Sequence, residues 1–139
     1  MKKIKLKSVV FVLFSMAIFA SCSSDEDTKN PETPQPIFKS AYATEVTGPT
    51  TGKVNEELTY MVSFTVDNAC GEYNKMTDIE IKKEKGYQVE AKYPATCSTP
   101  DSPQTKRTAY KVKPTMKGTF YLRIAKSETE YIVTTVVID

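Results

Sequence analysis

The sequence predicts an all-β fold, an antiparallel β-sandwich of about seven strands, and three observations carry that reading. Beyond Ile37, apolar and polar residues alternate with a period of two. Gly, Pro and Asn punctuate the alternation roughly every ten residues. No segment shows an apolar stripe at helical spacing.

The clearest strand is Leu58–Val66, in which Leu58, Tyr60, Val62, Phe64 and Val66 point one way and Thr59, Met61, Ser63 and Thr65 the other. Further strands are expected at 41–46, 78–82, 87–93, 108–113, 119–125 and 131–138. Met116-Lys117-Gly118 and Ser127-Glu128-Thr129 mark turns on either side of the penultimate strand. The last strand, Tyr131–Ile138, is β-branched on both faces. That composition predicts a strand covered on both sides or an edge that pairs with a partner, because left bare it would invite aggregation.

The strands belong to one domain, residues 37–139, and two segments precede it. Residues 1–21 have the three parts of a secretory signal: basic Lys2, Lys3, Lys5 and Lys7, an apolar run from Val9 to Ala20 interrupted by Ser15, then small residues. As a helix the run rises about 18 Å, short of the roughly 30 Å of a bilayer core, which argues against a permanent transmembrane anchor. Residues 23–36 are Ser, Asp, Glu, Thr, Lys, Asn and Gln with Pro31, Pro34 and Pro36, and offer no apolar side chain to a core. Together with Cys22 they read as a tether, residues 22–36, able to span on the order of 40 Å when extended.

Formal net charge over the whole chain is +2, but it is set by the leader. Lys2, Lys3, Lys5 and Lys7 are four of the 19 basic side chains, so the exported remainder carries 15 against 17 acidic ones, a net −2. Nothing in that balance favours a nucleic-acid partner.

Phe19-Ala20-Ser21 ends directly on Cys22. This resembles the lipobox of bacterial lipoproteins, with Phe19 where leucine is usual and Ser21 where glycine or alanine is usual. The resemblance implies cleavage between Ser21 and Cys22 and a diacylglycerol on the Cys22 thiol, which makes the membrane a partner through an N-terminal lipid. The competing reading is a secreted, unlipidated chain. Ser24-Asp25-Glu26-Asp27 then resembles the surface-export signal of Bacteroidota-type lipoproteins, which implies lipid anchoring in the outer membrane with the domain at the cell surface. The plainer reading is a solvated acidic spacer, with the domain facing the periplasm.

The domain is similar to small immunoglobulin-like lipoprotein domains of unknown function. The likeness rests on the run from Ala41 through Cys70-Gly71 and Cys97 to Pro114, on Gly118-Thr119-Phe120-Tyr121-Leu122, and on the closing Val-rich strand. It implies an immunoglobulin-like sandwich and no activity, since such sandwiches host many functions.

With Cys22 assigned to lipid, Cys70 and Cys97 form an even pair in an exported chain and are expected to be disulfide-bonded. Closing that loop stabilises the fold by about 3 to 4 kcal/mol, much for a domain of this size. The bridge should join two loops, Asp67 to Glu72 and Thr96 to Pro100, at one end of the sandwich. A redox or metal role is disfavoured, because there is no CxxC spacing and no histidine.

The lack of histidine also removes Ser-His-Asp and Cys-His catalysis, and no phosphate loop, GxSxG elbow or nucleotide fingerprint is present. No cofactor and no metal are expected. Asp78 and Glu80 alternate with Ile79 and Ile81, a pair that could in principle serve a glycosidase or hold calcium, but Lys82 and Lys83 follow and a solvated face is the simpler reading. Eight tyrosines accompany Lys106, Arg107, Lys111, Lys113 and Lys117 around one strand and its turn. Outward tyrosines beside cations suit glycans or protein partners, although alternation turns Tyr60 and Tyr110 inward and there is no tryptophan.

Three functional classes follow, in this order. The first is a non-catalytic binding or adhesion module for an extracellular glycan or protein, with its ligand at the loop end held by Cys70 and Cys97. The second is a structural accessory subunit of an envelope complex, docked through an edge such as Tyr131–Ile138. The third is a carboxylate-dependent glycan-active enzyme, for which a single small sandwich leaves little room.

Overall fold

The structure, a computed structural model, describes residues 34–139. The signal segment 1–21, the Ser21–Cys22 cleavage site, Cys22, and the acidic Ser24, Asp25, Glu26 and Asp27 lie outside the described residues. Among the described residues there is no helix. The strands are β1 (Ile37–Ala41), β2 (Ala43–Thr47), β3 (Thr51–Gly52), β4 (Leu58–Val66), β5 (Glu72–Ile81), β6 (Glu84–Tyr93), β7 (Gln104–Val112), β8 (Gly118–Ala125) and β9 (Tyr131–Ile138).

They form two sheets packed face to face. The smaller is β2-β4-β7, antiparallel throughout. In the larger, β6 is the hub: β5 pairs with its whole length on one side, and two strands divide the other side. There β1 runs antiparallel from Ile37 opposite Tyr93 to Ala41 opposite Val89, while β8 meets β6 in parallel at Tyr87 and Ile124. β9 pairs with β8, and β3 lies parallel to the end of β9 at Val137 and Ile138. From β4 the chain moves to the large sheet for β5 and β6, back to the small sheet for β7, and again to the large sheet for β8 and β9. That shuttling is the connectivity of an immunoglobulin-like sandwich. The pairing differs in two places: β1 lies on β6 in the large sheet, and β6 and not β5 flanks β8, which makes this short contact parallel.

The core follows from the alternation. Leu58, Tyr60, Val62, Phe64 and Val66 of β4 are all buried, as expected, and face Val89, Ala91 and Tyr93 of β6, Leu122 and Ile124 of β8, and Val136 and Ile138 of β9. Ala41 and Ala43 sit on either side of the point where the chain crosses from the large sheet to the small one, and small side chains let it cross inside the core. Burying a side chain such as Phe64 or Leu122 contributes about 1.5 to 3 kcal/mol. Tyr60 is fully buried and its hydroxyl donates to the carbonyl of Pro49 at 3.0 Å, so its polar end is satisfied.

Every strand expected from the alternation is present, and two more appear. β1 is mostly exposed and β3 is two residues long, so neither has a buried face whose pattern could announce it. The closing strand is not a free edge along its whole length: β8 covers one side, and β3 covers Val137 and Ile138 on the other.

Asp78 and Glu80 are exposed, as their alternation with Ile79 and Ile81 suggests, but not on the outer face of the sheet. Asp78 lies opposite Tyr87, whose ring packs toward Tyr110 of the small sheet, so the acids project on the inner side of β5. Nearer the Cys70 end the same side of β5 is covered, with Met76 packed against the core and Tyr73 against Phe64. Ile79 and Ile81 stand on the outer face, half-buried beside Tyr131. The Tyr131 hydroxyl accepts from Ile81 N at 3.0 Å and donates to Glu84 O at 3.0 Å, and its ring lies over Gly86, where a Cβ would be 2.5 Å away.

Candidate functional site

The domain has two ends. At one, Cys70 and Cys97 are bridged, with S–S 2.04 Å and Cα–Cα 6.2 Å. The bridge joins the β4–β5 and β6–β7 loops, as the sequence predicts. Other contacts tie the same loops: Cys70 N donates to Asn68 Oδ1 at 3.0 Å, Lys106 Nζ to Ala69 O at 3.2 Å, and Asp67 N to the Tyr93 hydroxyl at 2.8 Å. Lys39 pairs with Asp67 at 2.6 Å and lies over the Tyr93 ring, so β1 is fastened to this end as well. A shallow cleft of about 390 Å³ beside the bridge is lined by Cys70, Glu72, Lys92 and Pro94, one acid against one base.

The opposite end carries the β5–β6 hairpin, the β3–β4 turn and the β7–β8 connection. Pro114 in that connection accepts from Asn55 N at 2.8 Å, and Gly118 at its close has φ 124°, a backbone conformation that side chains with a Cβ rarely adopt. The segment 113–117 is thereby held as the rim of a cleft of about 350 Å³. Half-buried Tyr87 and Phe120 lie in its walls, Thr115 and Thr119 contribute hydroxyls, and Met116 is 78% exposed at the lip. Lys113 and Lys117 are both among the lining residues and no acid is.

The five cations grouped by the sequence are therefore dispersed. Lys106 reaches into the Cys70 loop, Arg107 approaches Glu45 at 3.9 Å, Lys111 is tied to Glu57 at 2.7 Å, and Lys113 and Lys117 alone meet in the cleft. The tyrosines divide too. Tyr60 is core, Tyr73 packs against Phe64 with ring centroids 6.3 Å apart, and Tyr87 and Tyr110 pack at 5.3 Å across the flank between the sheets. Burial pushes the Tyr110 phenol well above its usual range, and the Tyr87 hydroxyl adds to the shift. Sequence reasoning missed Tyr87 and Phe120 as cleft residues. The available signal was the short segment between Pro114 and Gly118, each a residue that fixes backbone direction.

Asp78 and Glu80 gain no third ligand: among the described residues no three acids or cysteines converge. They flank a cleft of about 540 Å³ with Ile79, Lys85 and Gly86. The outer face of β8 and β9 is a further feature. Tyr121, Val133 and Val137 are each close to half exposed there, and Arg123 lies over the Tyr121 ring while contacting Glu84 at 3.3 Å. No protein-family model matches the chain, and neither a curated protein nor a solved structure does.

Proposed function

We propose that the chain is a lipid-anchored, surface-displayed lipoprotein acting as a non-catalytic binding module, with its ligand at the end that carries the 113–117 rim. One observation supports that choice of end. β1 begins at Ile37 opposite Tyr93, so a tether from Cys22 would join the domain beside the disulfide loops. The 113–117 cleft lies one strand length away, about 25 to 30 Å along β4. A ligand arriving from outside the cell meets that end first. This replaces the disulfide loops, expected from sequence as the ligand end, with the opposite loops. The bridge then serves to hold the anchored end rigid.

The test is surface proteolysis of intact cells carrying the wild type and a variant with alanine at Ser24, Asp25, Glu26 and Asp27, with metabolic lipid labelling to report on Cys22. Cleavage of the labelled wild type and protection of the variant support display. Protection of both turns the domain toward the periplasm and removes the argument for an extracellular ligand.

The outer face of β8 and β9 favours a second reading, an accessory subunit of an envelope complex. Tyrosine, arginine and valine with no central lysine match the composition of protein interfaces better than that of an idle sheet face. Val133→Lys would abolish co-purification of a partner seated there and leave the 113–117 cleft untouched.

A further inference from the structure

We propose that the 113–117 cleft takes an acidic saccharide, a sugar unit bearing a carboxylate; this rests on the reading of that cleft as the ligand site. Charge argues first. Three other clefts on the described surface mix signs: Cys70, Glu72, Lys92 and Pro94 line one, Asp78, Glu80 and Lys85 contribute to another, and Lys82, Glu84 and Glu130 to the third. The cleft at 113–117 differs from them. It has Lys113 and Lys117 and no acid in its lining. Their neighbour Lys111 is occupied by Glu57, whereas among the described residues no carboxylate lies within ion-pair distance of Lys113 or Lys117. Two ammonium groups without counter-charges at the mouth of one depression favour an anion, and low-dielectric walls focus their field on it.

The walls decide the kind of anion. Tyr87 and Phe120 are both half-buried, so each ring keeps an exposed part for the apolar C–H face of a sugar, while Thr115 and Thr119 provide hydroxyls that donate to or accept from sugar hydroxyls. Met116, largely exposed at the lip, is an adaptable apolar contact suited to an irregular ligand. An acidic peptide is the competing ligand, and the poly-glutamate arm of the experiment below separates the two. A volume of about 350 Å³ lies at the lower limit of small-ligand sites. It therefore fits one or two units at the end or side of a chain.

The experiment is affinity electrophoresis of the full-length protein in non-ionic detergent through gels containing polygalacturonate, neutral dextran or poly-glutamate. The proposal expects retardation by polygalacturonate alone, weakened about tenfold in the Lys113→Ala/Lys117→Ala variant and by added salt. The Lys75→Ala/Lys92→Ala variant, altered at the other end, should migrate as the wild type does. All four lysines are exposed, so circular dichroism should be unchanged in both variants. Retardation by dextran that survives the lysine changes overturns the acidic-ligand inference and leaves the cleft as a binding site. Equal retardation by poly-glutamate overturns the saccharide assignment. No retardation by polygalacturonate, or equal loss in both variants, sinks the inference outright.

Discussion

Ile37, the first residue of β1, stands in register opposite Tyr93, the last residue of β6, whose hydroxyl accepts a hydrogen bond from Asp67 N. One tyrosine thus joins the start of the domain to the two loops that the disulfide crosslinks.

The bridge closes a loop with a sequence separation of 27. Cys70→Ser/Cys97→Ser should lower unfolding free energy by about 3.5 kcal/mol through the greater freedom of the unfolded chain. Denaturant midpoints of the variant, and of the wild type with and without reductant, measure this. A loss under about 1 kcal/mol would mean that Tyr93 and the Asn68 turn hold this end unaided.

Lys82 and Lys83 form the tip of the β5–β6 hairpin with φ of 53° and 69°. Tight hairpins of this hand prefer Asn-Gly, because a Cβ crowds the left-handed conformation at about 1 kcal/mol or more per residue. Lys82→Asn/Lys83→Gly should therefore stabilise the domain by about 1 to 2 kcal/mol, seen as a higher denaturation midpoint. An unchanged or lower midpoint would show that the lysines have compensating contacts.

Tyr131 occupies the space that a side chain at Gly86 would need. Gly86→Ala should cost about 1 to 3 kcal/mol in the wild type and clearly less in a Tyr131→Ala background. Additive costs in that double-mutant cycle would deny the coupling.

Tyr110 gives the domain a pH dependence. Burial raises its phenol above the usual value of about 10, so the folded state holds that proton after the unfolded chain has released it. The resulting stability is complete below about pH 10 and declines as pH rises beyond it. Tyr60 acts in the same direction. Urea midpoints at increasing alkaline pH should fall for the wild type and fall less steeply for Tyr110→Phe, with phenolate absorbance reporting late ionisation of the wild-type residue.

The parts of the fold legible in the sequence are those where burial writes a pattern. β4 alternates because one face is core and the other, apart from buried Ser63, is solvent. Cys70 and Cys97 were pairable once the chain was read as exported, since two thiols in an oxidising compartment have few other uses. The orientation of Ile79 and Ile81 was not legible, because at Asp78 and Glu80 the inward side of β5 is wet, and the outer side is sheltered by Tyr131, which lies 50 residues away from Ile81 in sequence. The cleft was equally hidden. It depends on β8 lying beside β6, a long-range pairing of Tyr87 with Ile124 that neither local segment encodes.

That β1 is laid along β6 sets how the domain bears load. A pull on residue 37, directed away from the 113–117 cleft, acts along the axis of β1. It stresses the hydrogen bonds of the Ile37–Ala41 pairing together, in shear, instead of peeling them one after another. Beyond β1, the load passes into β6, whose end is clamped by the disulfide-linked loops, so the domain is arranged to resist a pull between residue 37 and the 113–117 end.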